Sequence, residues 1–304
     1  MRLIDLPAPA TGYALALHGG AGGRVEELTL VEQGTYTEGL TAAYRAGAAV
    51  LAAGGAALDA VCAAVDVLED DPLFNAGRGA ALTAAGTAEL DACVMTGDGR
   101  SGSVAASRHA RHPVRAARKV MEESRSVLLV DPSAERIAGW ELETVDASWF
   151  ITPARQQQLA NVQAAALEPA RHGTVGAVAV DVRGRVAAAT STGGMVGQSE
   201  GRIGDSPIVG AGTYAKDGVV AISCTGEGEA FLQGTVAGDI AARVRYLGQP
   251  LGAAVEATVA EELASRSAMG GLVAVRPDGS VVVAHNSPAM FAAFHDGTRL
   301  VTLT

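Results

Sequence analysis

Apolar residues recur along this chain at two different spacings. From Leu28 to about Ala53 the spacing is helical, with Tyr36, Leu40, Tyr44, Ala48 and Leu51 on one face and Gly54-Gly55 where a C-terminal cap belongs. A second helix is expected from Ala56 to Asp70, with Leu58, Val61, Cys62, Val65 and Leu68 sharing a face. Short apolar runs without that spacing read as strands: Tyr13 to Leu17, Glu89 to Met95, Gly102 to Ala106, Val127 to Val130 and Val219 to Thr225. Pro113, suited to a first turn, opens a helix to Glu123, and Asp131-Pro132-Ser133 caps a short one over Ala134 to Gly139. Gly226-Glu227-Gly228 opens a helix to about Leu247, and another runs from Leu251 to Ser267. Gly271 to His285 is a hairpin turning at Pro277-Asp278-Gly279. Between Thr152 and His172 the periodicity weakens into Gln, Ala, Arg and Pro. This stretch is the best linker candidate, and it stops immediately before Thr174.

The chain is organised around the residues directly beyond that linker. Gly173-Thr174-Val175-Gly176 leads into the apolar run Ala177 to Val180, a turn at Asp181 to Gly184, and a second run from Arg185 to Thr192. Cutting the Gly173–Thr174 bond would leave a threonine whose hydroxyl can attack and whose own α-amine, with an ordinary pKa of about 7.7 to 8.0, can take the proton. An intact peptide nitrogen cannot be that base, so one cleavage would switch the chain on. Threonine is common in strands for packing reasons alone. Here Gly173 adds the conformational freedom for a bend in which the hydroxyl reaches its own preceding carbonyl.

Composition narrows the possibilities. In 304 residues, 48% are hydrophobic but only 4% aromatic, so the core is built from Ala, Val and Leu packed closely. The net charge of -10, with no run of Lys or Arg, argues against nucleic acid and anionic membrane as partners. Cys62, Cys93 and Cys224 are widely separated, sit in apolar contexts and read as buried, reduced thiols. An early Asp5 and Pro7 with no long apolar region make a poor signal peptide, and no stretch is long enough to span a membrane, so a soluble, cytoplasmic protein is expected.

Several motifs have bland alternatives. His18-Gly19-Gly20-Ala21-Gly22-Gly23 lacks the Lys-Ser/Thr ending of a phosphate loop, and its glycines read as letting backbone pass close to a neighbouring strand. Gly210-Ala211-Gly212 continues into the turn Lys216-Asp217-Gly218 and not into a helix, which rejects a dinucleotide fingerprint. Glu69-Asp70-Asp71 reads as a solvated turn. Thr192 ends the strand beside Thr174 and either tunes its proton or caps the Gly193-Gly194 turn. Thr225 and Gly226 stand where a strand passes into a helix, a place where backbone N–H groups can hold an oxyanion. Arg202 and Asp205 are either a surface ion pair of little worth or the two grips for an amino acid, Arg202 on the carboxylate and Asp205 on the ammonium. His18, His172 and His285 have neither a serine elbow nor metal-ligand spacing and read as core or loop residues.

The segments Leu73-Phe74-Asn75-Ala76-Gly77, Glu89-Leu90-Asp91-Ala92, Gly173-Thr174-Val175-Gly176, Ser191 to Met195, Gly201 to Pro207 and Thr225 to Glu229 together resemble the plant-type asparaginase and isoaspartyl peptidase family of N-terminal nucleophile hydrolases. Periodicity alone supports α+β or mixed α/β; the resemblance implies an α+β fold, a four-layer αββα sandwich in a single domain. It implies self-cleavage into residues 1–173 and 174–304, and hydrolysis of the L-asparagine amide and of β-aspartyl (isoaspartyl) peptide bonds. Thr174 would be the nucleophile, Thr192 its neighbour, Thr225 and Gly226 the oxyanion hole, Arg202 and Asp205 the substrate grips, and Asn75 a supporting residue. No cofactor is implied for the chemistry. A structural sodium ion is implied on the backbone carbonyls of Leu68, Glu69, Asp71, Phe74, Ala76 and Arg78, whose side chains leave no signature. A homodimer of cleaved αβ units is also implied. The rivals are a glycosylasparaginase, which needs room for a sugar, and an uncleaved amino-acid-binding scaffold.

Overall fold

The computed structural model describes residues 1–22, 28–165 and 173–304. Its strands are β1 (Arg2–Leu6), β2 (Ala14–Gly22), β3 (Leu90–Thr96), β4 (Ser101–Ser107), β5 (Leu128–Val130), β6 (Val175–Val180), β7 (Val186–Thr192), β8 (Thr213–Lys216), β9 (Val220–Gly226), β10 (Gly270–Val275), β11 (Val281–His285), β12 (Ala289–His295) and β13 (Leu300–Leu303). They form an eight-stranded sheet ordered β13-β12-β2-β6-β7-β3-β4-β5 and a five-stranded sheet ordered β1-β11-β10-β9-β8. Every pairing is antiparallel except β4 with β5.

The two sheets bury one face each against the other. Ala16, Val178, Val180 and Ala188 of the larger sheet meet Ala221, Val273, Val275 and Val283 of the smaller one in a single apolar cluster. Because strand side chains alternate, the intervening residues point the other way and demand helices. On the larger sheet these are α1 (Leu30–Ala52) and α2 (Ala57–Asp70), whose Leu40, Leu51, Val61, Val65 and Leu68 pack on Leu15, Leu17, Val175, Ala177 and Ala189. Beside them α3 (Pro113–Glu123) and the short α4 (Ala134–Gly139) pack with Ala92 and Val104. On the smaller sheet α6 (Gly228–Gly234), α7 (Val236–Leu247) and α8 (Leu251–Thr258) cover Ile222, Cys224, Leu272 and Ala284. The fold is thus mixed α and β, two sheets flanked by helices.

Local chemistry accounts for most boundaries. Thr29 starts α1 with a reciprocal capping box to Glu32, and Pro113 occupies the first turn of α3. The expected helix to Leu247 is broken, because Thr235 adopts a left-handed conformation that separates α6 from α7. The expected helix to Ser267 leaves α geometry after Thr258, through one wide and one tight turn. The linker assignment needs correcting: Pro153–Ala165 is a helix, α5, anchored by the buried Leu159 packing with Phe150 and Val196. Its apolar stripe is too thin to be read as periodic. Residues 166–172, including His172, lie outside the described residues, as do residues 23–27 at the end of the glycine run. Strands β1, β8, β12 and β13 add to those expected from the sequence; β1, β8 and β13 are edge strands of four or five residues, too brief to carry a pattern.

Candidate active site

Thr174 stands just ahead of β6, near the middle of the large sheet, and is only 6% exposed. β6 pairs with β7 from Val175 opposite Ser191, which brings the end of β7, Thr192, beside it. The Thr174 hydroxyl donates to Thr192 Oγ1 at 3.1 Å, and Thr192 in turn donates to the carbonyl of Gly173 at 3.4 Å. The N–H of Gly194 also donates to Thr192 Oγ1 at 3.0 Å, so this hydroxyl caps the turn and at the same time touches the candidate nucleophile. On the other side β2 passes so near that a Cβ at Gly20, where φ is +118°, would meet Gly173 Cα at 2.9 Å. The glycine run therefore permits close approach, as its sequence suggests.

Asn75 fixes the turn after Thr192. Its Nδ2 donates to the Gly194 carbonyl at 2.7 Å, its Oδ1 accepts from Ala81 N at 2.6 Å, and its carbonyl accepts from Gly193 N at 3.2 Å. Phe74 anchors this loop, fully buried with its ring edge-on to Tyr36. The bland account of the preceding acids fails for the first of them, while Asp70 and Asp71 are partly exposed. Glu69 is completely buried, accepting from Ser191 Oγ at 2.6 Å and Val114 N at 3.0 Å, and burial pushes its carboxyl above the ordinary range. Its other oxygen faces His112 Nδ1 at 3.4 Å, and the nearby Asp66 is already held by Arg115.

The carbonyls expected to hold sodium occupy the end of α2 and this loop. Pro72 has no N–H to give the Leu68 carbonyl, and Leu73 N turns instead to Asp71 Oδ1 at 3.0 Å. A Cβ at Gly77 would sit 2.2 Å from the Glu69 carbonyl oxygen, and one at Gly79 2.1 Å from that of Phe74. Two of these carbonyls thus pack against glycines, while those of Asp71 and Ala76 accept from Phe74 N at 3.2 Å and Gly79 N at 3.1 Å; backbone oxygens are donors of the hard kind that such a cation takes.

Thr225 and Gly226 end β9 on the smaller sheet, with Thr225 fully buried. Thr225 Oγ1 accepts from Ala21 N at 3.1 Å, which leaves its own O–H to be donated elsewhere. Gly226 lines a cavity together with Thr174, Thr192, Gly194, Met195, Arg202, Gly204 and Asp205. The cavity measures about 10 Å³, room for roughly one water.

Arg202 and Asp205 are not a surface pair. Arg202 donates through Nε and Nη2 to Glu229 at 3.0 Å each. Asp205 is buried, its Oδ2 has no hydrogen-bond partner, and burial pushes its carboxyl up to about 7. Asp91, opposite Thr192 on β3, accepts from Ala106 N at 2.9 Å and Gly204 N at 3.3 Å, and burial raises it to about 6. Glu89 accepts from Gly201 N at 2.7 Å. Asp91, Glu89 and Glu229 thus shape the site although the sequence assigns them no role; the signal available is the motif Glu89-Leu90-Asp91-Ala92, which carries a resemblance and no chemistry of its own. His18 is a core histidine in contact with the carbonyl of Thr174, and His285 is turned to Ser287. The three cysteines are buried and free.

Comparison with known proteins agrees with this geometry. The family model described as asparaginase matches residues 11–304. An isoaspartyl peptidase of Salmonella typhimurium is 46% identical, covering 92% of this chain and 94% of its own. Its counterpart in Escherichia coli is 44% identical, over 92% of each. A probable isoaspartyl peptidase/L-asparaginase of Arabidopsis thaliana is 37% identical over 96% of this chain and 99% of its own. With a match across nearly its whole length and the motifs gathered around one threonine, this chain belongs to the asparaginase family.

Proposed function

We propose that this chain cuts itself between Gly173 and Thr174, and that the threonine so exposed is the nucleophile of an isoaspartyl peptidase/L-asparaginase. The observation that carries the reading is the shared contact of Thr192, whose one hydroxyl touches both the Thr174 hydroxyl and the Gly173 carbonyl. In the self-cleavage, Thr174 Oγ attacks the Gly173 carbonyl carbon, the acyl group moves from nitrogen to oxygen, and water hydrolyses the ester. The products are a carboxylate on Gly173 and a free α-amine on Thr174. In turnover that amine takes the hydroxyl proton as Oγ attacks the side-chain carbonyl of asparagine or of a β-aspartyl peptide. Thr225 O–H and Gly226 N–H stabilise the oxyanion, the proton passes to the departing ammonia or peptide amine, and water releases L-aspartate.

Arg202 grips the α-carboxylate and Asp205 the α-ammonium, which gives the orphaned Asp205 oxygen the donor it lacks. A cavity with space for one water cannot take an amino acid, which supports a site that opens only once the Gly173–Thr174 bond is cut. The carbonyls of Leu68, Glu69, Asp71, Phe74, Ala76 and Arg78 would hold sodium, whose part is to stiffen the loop that carries Asn75. The αββα sandwich of the N-terminal nucleophile hydrolases, one domain divided into residues 1–173 and 174–304, and a dimer of such units belong to the same proposal. Among the described residues no helix is long and apolar enough to cross a membrane.

The test is N-terminal sequencing and intact mass of the purified protein, alongside Thr174→Ala. Two chains are expected, the second beginning Thr-Val-Gly-Ala, whereas Thr174→Ala stays whole and loses on the order of 10⁴-fold or more in turnover. An active protein that remains one chain would sink the reading.

A further inference from the structure

Among the described residues, a polar seam crosses the largely apolar interface between the two sheets. His18 of β2 is fully buried there, its Nδ1 2.8 Å from the carbonyl oxygen of Thr174 and its Nε2 2.8 Å from Ser223 Oγ on β9. Ser223 continues at 2.8 Å to Thr190 on β7, and Thr213 on β8 donates to Thr190 at 2.7 Å. The partners fix the tautomer. A carbonyl can only accept, so Nδ1 carries the proton, and Nε2 must then accept from the Ser223 hydroxyl. Donation runs one way, from Thr190 to Ser223, to His18, to Thr174. Burial lowers the imidazole to about 4, so the ring stays neutral under ordinary conditions.

The sequence has made room for this. A Cβ at Gly176 would lie 2.0 Å from Ser223 Oγ and 2.7 Å from His18 Nε2, so the Gly of Thr174-Val175-Gly176 is what lets the His18–Ser223 pair close against β6. A polar seam in an apolar sheet interface is costly unless every member is satisfied, and hydrophobic residues would serve packing alone as well. Thr174, moreover, lies outside the ladder, which begins with Val175 opposite Ser191. Once the Gly173 bond is cut, the carbonyl held by His18 becomes its main backbone anchor.

We propose that His18 is a positioning residue: its Nδ1–H holds the Thr174 carbonyl and so sets the direction in which the freed α-amine and the hydroxyl face the substrate. This rests on Thr174 being the nucleophile, and it concerns orientation, not a proton passed to the reacting atoms. It differs from a merely structural role in depending on one end of the ring.

Two amide variants separate the ends. In His18→Asn the Nδ2 falls where Nδ1 was, keeping the Thr174 bond and losing Ser223. In His18→Gln the amide reaches the Nε2 position, keeping Ser223 and losing Thr174. Kinetics are to be measured on material shown by mass to be fully cleaved. We expect His18→Gln to lose about a hundredfold in kcat with KM within about threefold, the size of effect that roughly 1 Å of misplacement brings, and His18→Asn to recover most of it. Equal losses in the two variants, or a loss confined to KM, overturn the proposal. If either variant fails to fold, the ¹⁵N chemical shifts of the wild-type ring decide: a neutral Nδ1–H tautomer is expected, and an Nε2–H tautomer or an imidazolium at pH 7 rules it out. Should Thr174→Ala remain active, it is the nucleophile assignment that has failed; should Thr174→Ala be dead while His18→Gln turns over normally, only the positioning role falls.

Discussion

The two walls beside Thr174 are built on opposite plans. On the Asn75 side both polar atoms of the Asn75 side chain have their partners, with Nδ2 on Gly194 and Oδ1 on Ala81, and the ring of Phe74 is locked against Tyr36. On the Arg202 side the charges are unevenly matched: the partly exposed Arg202 leans on the exposed Glu229, and the buried Asp205 keeps an oxygen without a hydrogen bond. A saturated wall holds its shape without ligand. An unsaturated wall carries a standing cost that a ligand with an ammonium and a carboxylate removes. The difference separates the part of the site that prepares the nucleophile from the part that chooses the substrate.

If that division is right, Arg202→Ala should strike turnover and spare self-cleavage. Losing a charge-assisted bidentate contact costs about 3 kcal/mol, on the order of a hundredfold in kcat/KM on asparagine and isoaspartyl dipeptides alike. The protein should still separate into two chains at the wild-type rate, read by denaturing electrophoresis over time. Impaired cleavage would mean the two walls are not independent.

Asp205 allows the same division to be read in stability. Its ordinary carboxyl value is about 3.9, and burial lifts it to about 7 in the folded protein. Between those values the native state holds a proton that the unfolded chain has released. The favourable contribution is therefore complete below about pH 4 and is lost as pH rises through 7. Asp205→Asn stays neutral throughout. Its Tm should match the wild type near pH 4 and exceed it at pH 8 by the equivalent of a few kcal/mol, while its turnover falls. Equal Tm differences at both pH values would show that the carboxylate is not strained by burial.

The sequence exposes these two walls unequally. Thr174, Thr192, Thr225 and Arg202 lie in short motifs whose residue types suit one chemistry, and α1, α2 and the hairpin of β6 and β7 are legible from spacing alone. What a linear pattern cannot carry is where a side chain goes once distant strands meet. Glu69-Asp70-Asp71 looks like a solvated turn until α3 and Ser191 close over Glu69. His18 and Ser223 are 205 positions apart, and only the packing of one sheet on the other brings them together. Helix α5 is illegible because the one buried residue on it, Leu159, leaves no stripe.

The smallest expected effect lies at the far end of the saturated wall. In the loop proposed to hold sodium, Arg155 already donates to the carbonyls of Gly79 at 2.6 Å and Leu73 at 3.3 Å. A cation there adds to a loop that is mostly fixed. Binding to the folded state alone stabilises by RT ln(1 + [L]/Kd), about 1.4 kcal/mol at a tenfold excess of sodium over its Kd. For a chain of this size that corresponds to a Tm shift of a few degrees. Exchanging sodium for a large organic cation at matched ionic strength should lower Tm by that amount and reduce kcat modestly, since Asn75 is the route from the loop to Thr192. KM should stay near its original value, because Arg202 and Asp205 hang from the opposite wall. A change in KM with kcat intact would place the cation's influence on the substrate side and break the comparison, and an unchanged Tm would remove sodium from this loop while leaving Thr174 untouched.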